Sequence, residues 1–271
     1  MTALTRHNVV VTGRPDGQPM VFAHGFGCDQ HMWRFVAPVF EDEFRVILFD
    51  HAGAGPTGAS SYDVRRHGSL QGYADDVVAI CRELDVTDGV FVGHSVSSMI
   101  GVLADLAAQD VFAKLVLIGP SPRYVDDDGY VGGFSEDDIT GLLDSMESNY
   151  LGWSSVMAPV IMGNDDRPEL GAELTESFCR TDPHIARRFA EVTFRSDNRV
   201  DLGRVQTPAL VLQCARDAIA PTSVGQYVAD TMPQATLVML DATGHCPNLS
   251  APAETIAAMT PFVRGTPAAR T

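Results

Sequence analysis

The residues with the most chemical potential in this chain lie in the run Phe91-Val92-Gly93-His94-Ser95-Val96-Ser97-Ser98-Met99-Ile100-Gly101. Val90–Val92 reads as a short buried strand, and Met99, Ile100, Val102, Leu103 and Leu106 follow at helical spacing. A serine held between strand and helix by small neighbours is presented at a sharp turn, its hydroxyl lifted clear of the sheet and the helix N-terminus aiming free N–H groups at it. The usual pattern is Gly-x-Ser-x-Gly. Here Ser97 replaces the last glycine, and an ordinary Gly/Ser-rich strand-to-helix turn is the plainer reading of this segment taken alone.

A serine hydroxyl is a weak nucleophile near neutral pH and needs a base, which in turn needs an orienting carboxylate. In the order Ser, Asp, His, both partners lie downstream, on loops after strands. Asp217 follows the predicted strand Ala209–Gln213 by the short loop Cys214-Ala215-Arg216, and the loop Gly119–Pro122 offers no competing acid. His245 follows the predicted strand Thr236–Leu240, with Gly244 before it and Pro247 after it. Asp241 is nearby but belongs to the strand end. The oxyanion of an acyl-transfer intermediate needs two backbone donors. The Val96 N–H at the helix start is one. The Phe26 N–H, in the glycine-containing loop His24-Gly25-Phe26-Gly27, is the other. His24 and His94 read as structural histidines that bind backbone groups around the turn.

These residues need a scaffold. Predicted strands at Val9–Thr12, Met20–Ala23, Arg45–Phe49, Val90–Val92, Lys114–Ile118, Ala209–Gln213 and Thr236–Leu240 are short and nearly continuous in apolar residues, as in a parallel sheet covered on both faces. Helical patterns lie between them at Leu70–Leu84, Ser97–Gln109, Ser223–Thr231 and Ala253–Val263, so the fold class is α/β, a mostly parallel doubly wound sheet. From Arg123 to Asn198 the alternation stops. Four helical runs (Ser135–Tyr150, Ser154–Ile161, Leu170–Thr181, Pro183–Thr193) read as a lid over the C-terminal edge of the sheet, where open α/β folds bind ligands. Ser135 and Asp182 are placed as N-caps. Most apolar residues of this insertion, among them Met146, Met162 and Phe189, are expected to pack helix on helix. Trp153, Met157, Phe178 and Phe194 are the candidates for a pocket wall.

With 271 residues, 45% of them hydrophobic, the chain suits a single domain spanning residues 1–271, with the lid at 123–198 inserted in it. A formal charge of -16 opposes binding to nucleic acid and to anionic membranes. Met1–His7 lacks the apolar run of a signal peptide and no stretch approaches a membrane span, so a cytoplasmic location is expected. Five scattered cysteines (Cys28, Cys81, Cys179, Cys214, Cys246) without Cys-x-x-Cys spacing suit free thiols, with no metal site. No cofactor is expected.

The elbow Gly93–Gly101 resembles that of the RsbQ-like group of the α/β-hydrolase superfamily, bacterial stress-signalling hydrolases similar to the plant strigolactone and karrikin receptors. The resemblance continues through His24–Gly27, Asp29-Gln30 with Trp33, Leu117–Pro122, Asp217–Pro221 with Val224, Gly225 and Tyr227, and Gly244–Pro247 with Leu249 and Ser250; the Ser97 variant is a feature of the group. It implies an α/β-hydrolase fold, a Ser95–His245–Asp217 triad, a V-shaped lid of four helices, and an apolar pocket for a small ester or lactone, with Phe26 and Val96 forming the oxyanion hole. It implies either a cofactor-free serine hydrolase (carboxylesterase or lactonase) or a signalling receptor that cleaves its ligand slowly and docks through its lid on a protein partner, such as a phosphatase-type regulator. A C–C bond hydrolase or a cofactor-free peroxidase shares the triad; a haloalkane dehalogenase is disfavoured by serine at the elbow. The chain departs from the group at Asp50–Thr57, at Asn248 (usually histidine) and throughout the lid.

Overall fold

A computed structural model describes residues 1–265. Seven strands form one sheet: β1 (Val10–Gly13), β2 (Gln18–Ala23), β3 (Phe44–Leu48), β4 (Gly89–His94), β5 (Phe112–Ile118), β6 (Ala209–Arg216) and β7 (Ala235–Thr243). Their spatial order is β1-β3-β2-β4-β5-β6-β7, with β1 antiparallel to β3 and every other pairing parallel. Every residue of β4 and β5 is buried, which is why these segments are apolar without alternation. On β2 the period of two sorts the side chains: Met20 and Phe22 enter one core layer, Val21 and Ala23 the other.

From β2 the chain runs outward to β3 on one side, and from β4 to β5, β6 and β7 on the other. The topological switch point therefore lies between β2 and β4, the crevice at which open α/β sheets bind ligands. The sheet is flanked by α1 (Leu70–Glu83), α2 (Val96–Ala107), and, after the lid, α7 (Thr222–Thr231) and α8 (Pro252–Arg264). Among the described residues no helix is long and apolar enough to cross a membrane.

Between β5 and β6 lie α3 (Glu136–Ser148), α4 (Tyr150–Met162), α5 (Pro168–Cys179) and α6 (Pro183–Phe194). They pack as two pairs, α4 on α5 and α3 on α6. Ser135 and Asp138 form a reciprocal capping box at α3, and the Asp182 carboxylate accepts from the His184 and Ile185 N–H groups at α6. The ends of the insertion meet: Arg123 pairs with Asp197 at 3.2 Å, and the Asn198 N–H donates to the Pro122 carbonyl at 2.8 Å.

Two element boundaries differ from the sequence reading. Helix α4 starts at Tyr150 rather than Ser154, because Asn149 caps it, accepting from the Gly152 N–H at 3.0 Å. Strand β6 continues through Arg216 instead of ending at Gln213. Pairing across a bulge with the equally extended β7 draws Cys214–Arg216 into the sheet and puts Asp217 directly at the strand end.

Candidate active site

Ser95 occupies the turn between β4 and α2 with φ 57° and ψ -125°, a left-handed conformation that costs a non-glycine residue on the order of 1–3 kcal/mol. The turn tolerates no bulk: a Cβ on Gly93 would stand 2.5 Å from the Ser97 carbonyl oxygen. The strain is held by the Ser95 N–H, which donates to the Ile118 carbonyl on β5 at 2.8 Å.

From β7, His245 reaches the same point. Its Nε2 lies 2.7 Å from Ser95 Oγ, and its Nδ1 lies 2.7 Å from Asp217 Oδ2. Asp217 Oδ1 accepts the Ile219 and Ala220 N–H groups at 2.8 and 3.1 Å. Burial alone would push the Asp217 carboxyl up, but the facing His245 and these two amides outweigh it and hold it below the usual carboxylate range. An ionised carboxylate only accepts, so the proton between the pair sits on Nδ1, which leaves Nε2 free to accept from Ser95. His94 Nε2 donates to the His245 carbonyl at 2.7 Å, fixing the backbone beneath the imidazole, and burial pushes its own pKa down to about 3. Asp241 is an exposed residue inside β7, its N–H bound by Glu254.

Val96 is the first residue of α2, and Phe26 lies in the loop after the adjacent strand β2. Among the described residues neither N–H donates to a backbone carbonyl. The two loops touch: a Cβ on Gly25 would meet His94 Nδ1 at 2.5 Å and Ser95 Cβ at 3.4 Å. Both donors assigned from sequence thus flank the switch point beside Ser95.

Ser95, His245 and Phe26 open on a cavity of about 30 Å³. Of the four wall candidates, Phe178 and Phe194 line it. Trp153 and Met157 do not. Trp153 stacks on Phe178 (ring centroids 5.4 Å apart) and meets Phe26 edge-on, so it backs two of the lining rings, while half-buried Met157 packs against the core. The sequence reading missed Tyr124, Ile161, Leu174, Thr193 and Ile219 on the wall. Tyr124 lies just past the Pro120-Ser121-Pro122 loop after β5, where a strand-end position was the available signal. Burial drives the Tyr124 hydroxyl well above its ordinary value, offset in part by the Ser95 hydroxyl, so it stays protonated. Cys28 and Cys246 also border the cavity, but burial pushes both thiols up, Cys28 to about 12, so neither offers a thiolate to compete with Ser95. A larger groove of about 560 Å³ lies elsewhere, between α6 and the Tyr62–Gln71 segment. Among the described residues no cluster of His, Cys, Asp and Glu side chains is arranged to hold a metal.

The departures noted in the sequence also find places. Asn248 is fully buried and donates to the Met32 carbonyl at 3.0 Å, tying the turn after His245 to the Gln30–Trp33 turn. His51, which carried no prediction, is buried against Ser97 and His24.

Comparison with known proteins agrees with this geometry. The model of the alpha/beta hydrolase family matches residues 20–258. A karrikin insensitive 2 receptor of Petunia hybrida is 39% identical over 247 residues, 91% of each chain. The strigolactone esterase of Arabidopsis thaliana is 38% identical over 248 residues, 91% of this chain and 92% of that one. Among solved structures, a hydrolase from Oleispira antarctica superposes with a TM-score of 0.94 at 40% identity over 97% of both chains. An enol-lactonase from Burkholderia xenovorans shares the fold, with a TM-score of 0.84 at 19% identity. With the elbow, the sheet order and these relatives in agreement, the chain belongs to the alpha/beta hydrolase family.

Proposed function

We propose that this protein hydrolyses a small apolar ester or lactone through an acyl-enzyme on Ser95. The observation that carries this reading is the unbroken line Asp217–His245–Ser95, with both contacts at 2.7 Å, facing an apolar cavity. In this reading Ser95 Oγ attacks the carbonyl carbon while His245 Nε2 takes its proton. The carbonyl electrons move to the oxygen, which the Val96 and Phe26 N–H groups stabilise. The intermediate collapses, the C–O bond of the ester breaks, and His245 returns the proton to the departing alkoxide. A water then repeats the sequence on the acyl-enzyme, with His245 again the base, releasing the acid and restoring Ser95. Asp217 holds the Nδ1–H tautomer and stabilises the imidazolium that forms.

The cavity bounded by the aromatic wall is small, about 30 Å³, so this reading favours small acyl groups. The Phe26 ring is central to that wall, packed against Trp153, Phe178, Phe189 and Phe194 at centroid distances of 5.7–6.3 Å. The test is hydrolysis of a p-nitrophenyl ester series from acetate to octanoate. Rates that fall with chain length, and that vanish in Ser95→Ala, are expected. Equal rates for wild type and Ser95→Ala would remove Ser95 from the reaction.

A second reading has its own observation. Helix α4 of the lid exposes Leu151 (59%), Val156 (66%) and Val160 (51%). Apolar side chains on an outer helix suit docking on a protein partner, so that a bound or slowly cleaved ligand is read out through the lid. Slow turnover by a folded enzyme, together with ligand-dependent protection of α4 from hydrogen exchange in the presence of a partner, would favour it. Fast multiple turnover on small esters favours the hydrolase.

A further inference from the structure

Ser97 stands where the general elbow motif has glycine, and its hydroxyl is fully buried. Ser97 Oγ lies 2.5 Å from the His24 carbonyl oxygen and 2.6 Å from His51 Nε2. The His51 N–H donates to His24 Nε2 at 3.0 Å, and His24 Nδ1 lies 2.9 Å from the Gly25 carbonyl. Proton counting gives every contact a direction. The two carbonyls only accept, so Ser97 O–H donates to His24 and His24 Nδ1–H donates to Gly25. Having spent its proton, Ser97 Oγ accepts, so His51 carries its proton on Nε2. The contacts close a ring through Ser97, His24 and His51 in which each donor meets an acceptor. Burial pushes both imidazoles down, which keeps them neutral in these tautomers.

The ring joins three segments. Ser97 belongs to the first turn of α2, next to Val96. His24 and Gly25 begin the loop that carries Phe26. His51 follows β3, in the Asp50–Thr57 segment where the chain departs from its group. The two N–H groups assigned to the oxyanion hole sit on different strands' loops, and no backbone hydrogen bond links those loops among the described residues. The Ser97 hydroxyl is the direct hydrogen-bonded link between them. His51 is wedged among Phe49, Tyr73 and Phe189 at centroid distances of 5.1–6.2 Å, so its ring has little freedom to move.

We infer that Ser97 and His51 are positioning residues for the oxyanion hole: the Ser97 hydroxyl, braced by His51, sets the spacing between the Val96 and Phe26 N–H groups. Neither touches the substrate. The inference rests on the hydrolase reading above. It also accounts for serine in place of glycine at this position, since glycine would leave His24 and His51 without their shared partner.

The experiment is steady-state hydrolysis of p-nitrophenyl acetate by wild type, Ser97→Ala, His51→Phe and Ser95→Ala, alongside inhibition by a trifluoromethyl ketone that forms a tetrahedral adduct. His51→Phe keeps an aromatic ring and the backbone N–H at this position while removing the Nε2 donor. Losing an oxyanion donor outright costs ~10²–10³ in turnover. Misplacing one is expected to lower kcat roughly tenfold to a hundredfold in Ser97→Ala and less in His51→Phe, with KM changed by less than about threefold. Inhibition by the ketone should weaken in parallel with kcat. A merely structural role would lower the melting temperature and leave kcat of the folded fraction and ketone inhibition intact, and that result overturns the inference. The Ser95→Ala control separates the two layers. If it remains as active as wild type, the hydrolase reading has failed; if it is dead while Ser97→Ala retains full kcat, the positioning role alone has failed.

Discussion

Asp217 decides which way the proton runs between Ser95 and His245. Its carboxylate fixes the Nδ1–H tautomer, and the facing His245, with the Ile219 and Ala220 amides, keeps it ionised despite burial. Replacing it by asparagine keeps the shape but lets the side-chain NH₂ donate to Nδ1, which forces the proton to Nε2 and blocks acceptance from Ser95. Asp217→Asn is therefore expected to reduce kcat by about 10⁴ with little change in KM; retention of more than a tenth of wild-type kcat would contradict the role given to Asp217. Much of this constellation was legible at the residue scale because each member has a strong local signal: small residues around Ser95, a strand end before Asp217, and a glycine before His245. His51 was not legible. A histidine beyond a strand end has no periodicity or spacing to mark it, and its meaning comes from Ser97 and His24, which only the sheet order brings beside it.

At the scale of elements, strand and helix positions followed from apolar runs, and the errors fell at ends set by contacts beyond the segment. The β6 strand ran on to Arg216 because β7 was there to pair with it, and α4 began early because Asn149 could cap it. The pocket wall was the least legible part. Trp153 and Met157 share the lid's apolar pattern with Phe178 and Phe194, and which side chain faces the cavity depends on how α4, α5 and α6 rotate against one another. The lid helices also carry a separable stability contribution. Ser135 anchors the capping box of α3 at an exposed position and is not among the residues lining the cavity. Ser135→Ala is expected to lower unfolding free energy by about 1 kcal/mol, read as a shift in the urea midpoint at unchanged slope, with kcat on p-nitrophenyl acetate unaffected. An unshifted midpoint would mean that α3 frays without consequence for the fold.

Over the whole molecule, the active-site end of the sheet is built on buried neutral imidazoles. Burial lowers the pKa of His24, His51 and His94, the last to about 3 from an ordinary value of 6.5. In acid the unfolded chain binds protons at these positions first, while the folded chain resists. Their contribution to stability is therefore complete above about pH 6.5 and is lost progressively as pH falls toward 3. The thermal unfolding midpoint should fall between pH 7.5 and pH 5, before most carboxylates titrate, and the fall should be shallower in His51→Phe, which removes one of the three. A midpoint that stays flat across that range would contradict neutral burial of these rings.

If Ser95 Oγ is the nucleophile of an ester-cleaving site, it must carry the acyl group between the two half-reactions. The most direct measurement is rapid mixing of enzyme with p-nitrophenyl acetate, acid quenching within the first turnover, and mass spectrometry of the digested protein. A burst of p-nitrophenol stoichiometric with enzyme is expected, with an acetyl group on the peptide containing Ser95, both absent in Ser95→Ala. Steady release of p-nitrophenol with no acyl group on Ser95, or an acyl group carried by another residue in a fully active enzyme, would contradict Ser95 as the nucleophile.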